Sequence, residues 1–157
     1  MKGAPRMNER YNLPCNIAQT LNLIGDRWTL LILHEIFAGS HSFNQIKRNL
    51  QGLSSRLLSE RLRCLEEAGL LAAELYSAHP PRYHYTLTES GKALEPVFNA
   101  LILWGRHHLK RCYKKLVHAE CGHEVQIAYY CEHCGTNVGD VAAMPIEEAD
   151  LAEASEA

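Results

Sequence analysis

Two short segments in the last third of the chain repeat one arrangement of metal-binding side chains: His118-Ala119-Glu120-Cys121-Gly122 and Cys131-Glu132-His133-Cys134-Gly135. A ligand, two spacers, a Cys and a Gly make a zinc knuckle, a tight turn that aims both ligands inward while Gly accepts the positive φ. Two knuckles supply four ligands, His118, Cys121, Cys131 and Cys134, enough to close a tetrahedral site with no open position. That chemistry is structural zinc, one ion per chain, rather than hydrolysis. His123 is a rival nitrogen ligand in the first knuckle, and His133 a weaker one. Iron suits thiolate-rich sites, but a nitrogen donor favours zinc. The segment is too short to bury a core of its own, so a metal is expected to hold it. Residues 125–130, between the knuckles, are expected to form the strand of a small ribbon.

A second group of chemically capable residues lies upstream, and the charge separates the two. The chain carries 16 Lys+Arg against 18 Asp+Glu. Residues 1–116 hold all 16 cations and nine of the anions, whereas residues 117–157 hold the other nine anions and no cation. A basic body suits a polyanionic partner, because phosphate neutralisation supplies much of the affinity of DNA binding. An acidic tail would be repelled by the same partner.

The elements that must position these residues follow from periodicity. Ile17, Leu21 and Ile24 fall at helical spacing before Gly25, and a second, more buried helix covers residues 28–37. Ser42 is expected to cap a short helix through Leu50, with Phe43, Ile46 and Leu50 inward. Ser54 caps a fourth helix running to about Ala68, stopped by Gly69. Extended runs at 70–76 and 83–88 flank a turn whose Pro80 and Pro81 should end pairing. Thr88 caps a long helix to about Leu116, which Pro96 should bend or restart. The order, helix, helix, helix-turn-helix, β-hairpin, long helix, is a mainly α winged helix-turn-helix. Three segments are expected: 1–116 for DNA binding and dimerisation, 117–140 for the zinc-ribbon-like part, and 141–157 as an acidic, disordered tail.

On the fourth helix Leu58, Leu62 and Leu65 share one face, leaving Ser54, Ser55, Arg56, Ser59, Glu60 and Arg63 toward solvent. Short hydroxyls and a guanidinium near a helix N-terminus suit major-groove reading, with Arg56 able to pair with guanine or clamp a phosphate. Lys47 and Arg48 near the end of the preceding helix are candidate phosphate contacts, Ser42 and Asn44 near its start are further DNA-binding candidates, and Arg82 flanks the wing tip, where a cation could enter a minor groove. Cys64 and Cys112 are expected to be packing residues.

Seven blocks in order carry a resemblance: Cys15-Asn-Ile-Ala, the run Leu23-Ile-Gly-Asp-Arg-Trp28 continuing to Leu33, Phe43-Asn-Gln-Ile, Leu57-Leu-Ser-Glu-Arg-Leu62, Leu65-Glu-Glu-Ala-Gly-Leu70, Pro80-Pro-Arg-Tyr, and Tyr85-Thr-Leu-Thr. Together, over residues 11–107, the chain resembles the HxlR family of bacterial regulators. The resemblance implies a homodimeric winged-helix transcription factor on an inverted-repeat operator, its terminal helices forming the dimer interface. It maps the DNA-reading helix onto residues 54–68 and the wing onto 77–82. Most relatives have Cys-Pro where this chain has Cys15-Asn16, a departure that alters the local turn. Several relatives sense electrophiles or oxidants through a Cys at the place of Cys15. In this chain it follows Pro14 at a helix start, where unpaired N–H groups favour a thiolate.

The leading expectation is therefore a DNA-binding repressor or activator, redox-responsive through Cys15, with a small electrophile or oxidant as effector. The alternative is a winged-helix and zinc-ribbon adaptor that binds protein rather than specific DNA. No Ser/His/Asp array, phosphate-cradling loop or open metal site emerges, so no enzyme is expected. No apolar run is long enough to span a bilayer and the N-terminus lacks a signal-peptide core, so a cytoplasmic location is expected.

Overall fold

Helix caps and apolar spacing set the first half of the chain. The computed structural model describes residues 11–146, and these divide after Leu101 into two units. The elements are α1 (Asn16–Ile24), α2 (Thr29–Phe37), α3 (Phe43–Asn49), α4 (Ser55–Glu67), β1 (Leu71–Ala78), β2 (Pro81–Leu87), α5 (Glu89–Lys92), α6 (Glu95–His108), β3 (Tyr129–Cys131) and β4 (Thr136–Val138). The fold is mostly helical with two small antiparallel sheets.

In the first unit the core joins Ile32, Leu33 and Ile36 of α2 to Ile46 of α3, Leu58, Leu62 and Leu65 of α4, Leu71 of β1 and Phe98 of α6. Each such side chain contributes about 1.5–3 kcal/mol on full burial, before conformational entropy opposes it. Local chemistry starts each helix. Ser42 and Gln45 form a capping box on α3, and the Ser54 hydroxyl accepts from Leu57 N at 3.2 Å. The Asp26 carboxylate accepts from the N–H groups of Trp28 (2.8 Å) and Thr29 (3.3 Å) and from the Thr29 hydroxyl, so it caps α2 from outside the helix. Side-chain amides of Gln19 and Asn22 hold the carbonyls of Leu13 and Tyr11, each at 2.8 Å, folding the segment before α1 back onto it.

The hairpin is longer than expected. β1 and β2 pair from Leu71↔Leu87 to Ala78↔Pro81, with a bulge between Leu75 and Ser77. Pro81 does not end the pairing, because a proline is tolerated as the first residue of a strand, where its missing N–H costs little. β2 is also anchored sideways: Tyr85 N donates to His41 O at 2.8 Å, and Ser42 bridges His84. The Thr88 hydroxyl closes the base of the hairpin, donating to Gly69 O at 2.6 Å and accepting from Gly91 N at 3.1 Å. Gly91 is confined there, since a Cβ would lie 2.1 Å from Leu70 O.

The long helix expected to reach Leu116 is two helices, α5 and α6, and stops at His108. Pro96 restarts it, in the first turn of α6, where a missing N–H is harmless. At the other end the Cys112 thiol reaches back to Arg106 O at 3.1 Å, occupying a carbonyl that a continuing helix would need. In the second unit β3 pairs with β4 through Tyr129↔Val138, Tyr130↔Asn137 and Cys131↔Thr136. The strand expected over 125–130 is thus confined to Tyr129–Cys131, because β4 offers only three residues to pair with. Of the segment expected to be an acidic tail, residues 147–157 lie outside the described residues.

Candidate nucleic-acid interface

α4 presents its sequence-selected residues to solvent because its leucines are consumed by the core. Leu58, Leu62 and Leu65 are at most 1% exposed, while Ser54, Ser55, Arg56, Ser59, Glu60 and Arg63 are exposed. Asn44 and Arg48 on α3 are exposed too, and Ser42 and Lys47 half-buried. The pairing of these cations differs. Arg63 is engaged by Glu67 at 3.8 Å along its own helix. Among the described residues, Lys47, Arg48, Arg56 and Arg82 enter no ion pair, leaving four cations uncompensated.

The hairpin brings a further wall. A cleft of about 450 Å³ lies between α3, α4 and the wing, and Ser42, Asn44, Ser59 and Arg82 line it together. Its aromatic sides, Tyr76, Tyr83 and Tyr85, went unnoticed in the sequence, although the i, i+2 spacing of Tyr83 and Tyr85 on a strand was a usable signal. Tyr76 packs on His84 with ring centroids 4.5 Å apart, across the bulge. Burial raises the Tyr85 hydroxyl above its ordinary value of 10.0, with Glu66 and Tyr83 adding to the rise. Tyr85 therefore presents a neutral phenol to this cleft.

A second residue missed in the sequence is Arg61. It turns back from α4, its Nε 3.2 Å from Asp26 Oδ2. The contact is an ion pair without hydrogen-bond alignment, since the same Nε has no hydrogen-bond partner. It ties the exposed helix to the start of α2. Cys64, on the same helix, is buried, and burial lifts its thiol above the ordinary 9.0.

Cys15 is exposed at the N-cap of α1 and makes no side-chain capping bond. The four candidate metal ligands lie in the second unit as two pairs. His118 Nδ1 is 3.2 Å from Cys121 Sγ. The backbone N–H and then the thiol of Cys134 bond to Cys131 and hold its thiol below 9.0. His123 contributes its carbonyl, which accepts from His118 N at 2.9 Å. Among the described residues, no three His, Cys, Asp or Glu side chains are gathered closely enough to hold a metal ion. No helix among them is long and apolar enough to cross a membrane.

Comparison with known proteins adds the following. The HxlR-like helix-turn-helix family matches residues 23–113. An HTH-type transcriptional regulator of Mycobacterium tuberculosis is 41% identical over 126 residues, covering 78% of this chain and 79% of its own length. The HTH-type transcriptional regulator YtcD of Bacillus subtilis is 31% identical over 105 residues, covering 67% of this chain and 82% of its own. Among solved structures, a candidate transcription factor from Pseudomonas aeruginosa is similar with a TM-score of 0.62 at 30% identity, covering 88% of this chain and 99% of its own. That match is too long to end at residue 113 and runs into the second unit. The redox regulator HypR in its reduced form is similar over 59% of this chain and 91% of its own, with a TM-score of 0.55 at 33% identity.

Proposed function

The chain belongs to the HxlR-like helix-turn-helix family, and on that premise we propose that it is a DNA-binding transcriptional regulator acting as a homodimer on an inverted repeat. The observation that carries this is the cluster of four uncompensated cations and short hydroxyls along α3, α4 and the wing. Phosphates attract such cations, and having no ion-pair partner among the described residues leaves them available. In this reading Ser54, Ser55, Arg56, Ser59 and Arg63 face base edges in the major groove. Ser42, Asn44, Lys47 and Arg48 hold the flanking backbone, and Arg82 reaches the minor groove.

Dimerisation has support in exposed apolar surface. Ile17 is 71% exposed on α1, and Trp104 is 59% exposed on α6. Large apolar groups left open along a helix mark a partner surface. The proposal includes a redox response to a small electrophile or oxidant through Cys15, supported by its exposure at the start of α1 and by the similarity to HypR. It also takes residues 117–140 as a zinc-ribbon-like appendage to a winged-helix body over 1–116.

The test is to sequence the genomic fragments retained by the purified protein and to measure affinity against salt. Enrichment of a palindromic site with a steep salt slope is expected. Retention without sequence preference, or a flat slope, would favour an adaptor that docks proteins. Operator affinity unaltered by diamide would remove the redox part alone.

A further inference from the structure

We infer that one zinc ion binds His118 Nδ1 and the sulfurs of Cys121, Cys131 and Cys134, joining two preformed turns into a single cross-link. This rests on the zinc-ribbon-like reading of the second unit and not on DNA binding. Both turns are built alike. In the first, Gly122 N donates to His118 O at 2.8 Å; in the second, Gly135 N donates to Cys131 O at 2.9 Å. Each glycine has a positive φ, +70° and +65°, a conformation that other residues rarely adopt. The same closure thus brings the first and fourth residues of each turn together, and in both cases these are a pair of zinc ligands.

The choice between His118 and His123 follows from the first turn. The His118 ring meets the Cys121 thiol, whereas His123 accepts the His118 N–H through its main chain. The backbone bonds on both sides of the turn, with Val125 N donating to Leu116 O at 3.1 Å, hold the two histidines on opposite arms. Within the turn, the nitrogen aimed at a thiol is therefore Nδ1 of His118.

The need for a metal comes from what this segment lacks. From Leu109 to Ile146 no described residue is buried, and only Leu116, Cys131 and Val138 are half-buried. Two short pairings and a few exposed ion pairs, such as Glu124 with Arg106 (3.5 Å) and Lys115 (3.6 Å), supply little stability. Each ligand pair alone is half of a tetrahedral shell. No three of these ligands are gathered among the described residues, so binding would have to draw the second pair onto the first, and ion binding and ordering of the segment are one event. Three thiols lose their protons to solvent and the imidazole binds in its neutral form. The resulting set of three thiolates and one nitrogen is soft enough to select zinc and leaves no position for substrate.

The full-length protein, purified without chelator, should contain about one zinc per chain by elemental analysis. Cobalt exchanged into it should give the visible spectrum of a tetrahedral thiolate site. Cys131→Ser, Cys134→Ser and His118→Ala should each weaken metal retention against a chelator at least about tenfold, the lower end even for outer-shell partners, while His123→Ala should retain it. A metal-free preparation that gains nothing from added zinc overturns the inference, as does a stoichiometry of about half an ion per chain. Retention lost in His123→Ala but kept in His118→Ala overturns the ligand assignment. Fragment retention measured on the same preparations separates the two readings. Absent zinc with intact DNA binding removes only this inference, and bound zinc without DNA binding removes only the regulator.

Discussion

The two units hold chemically capable residues in place by opposite means. In the first, α4 is aimed by three buried leucines, an Asp26–Arg61 ion pair and the packing of α2, so its outward residues are consequences of a core. In the second, the candidate ligand pairs are aimed mainly by backbone, through a turn-closing hydrogen bond and a left-handed glycine in each turn. A core-positioned site shares the cooperativity of its domain, so damage anywhere in the packing reaches it. A turn-positioned site is local. It forms without neighbours, and it needs an external cross-link to become part of a larger structure.

Perturbations of the two units should separate accordingly. The largest effect is expected from Leu58→Ala, which opens a cavity under α4 and should lower stability by about 2–5 kcal/mol in urea titration, with DNA retention lost in parallel. Gly91→Ala forces a Cβ against Leu70 O and should cost about 1–3 kcal/mol, again read in urea, without touching any outward residue. Arg56→Ala should leave stability unchanged but weaken operator binding by about 1–3 kcal/mol, and it should reduce the salt slope by about one if Arg56 grips a phosphate. Cys131→Ser should release zinc and open residues 117–140 to protease, yet shift the unfolding of the winged helix by less than about 0.5 kcal/mol. Global unfolding of that variant would erase the contrast between the units.

The smallest effect is a pH dependence. Burial raises the Cys64 thiol and the Tyr85 hydroxyl, so both hold their protons more tightly in the folded chain than in the unfolded one. The stability they contribute is complete below their ordinary values and is lost as pH rises through the raised folded values. The urea midpoint of the first unit should therefore decline above about pH 9, and Cys64→Ala should flatten the earlier part of that decline.

What was legible in the sequence was whatever neighbours decide. Ser42, Ser54 and Thr88 cap the helices they precede, and the leucine spacing of α4 selects its buried face, because both effects act within a turn or two. The end of α6 was misplaced because a thiol four residues beyond it captures a carbonyl, which periodicity does not register. The wing ran longer because Pro81 is the first residue of β2, where its missing N–H costs little. Helix periodicity carries no sign of Arg61's role, since its partner Asp26 lies far away in sequence. The tyrosines of the cleft meet Ser59 and Asn44 only once the hairpin has folded back over α3 and α4. The knuckles were visible as a spacing, and the structure adds the hydrogen bonds that make each spacing a turn.

The sideways attachment of β2 has a mechanical consequence. His41 grips Tyr85 twice, accepting its N–H and placing its own Nδ1 3.1 Å from the Tyr85 carbonyl, immediately before the residue that caps α3. The hairpin is thereby riveted to the root of the helix pair, and a push on its tip tilts the helices instead of swinging the hairpin alone. Parts that cannot move independently keep a fixed separation, so in the proposed homodimer a change in preferred target spacing would have to come from how its two copies are joined.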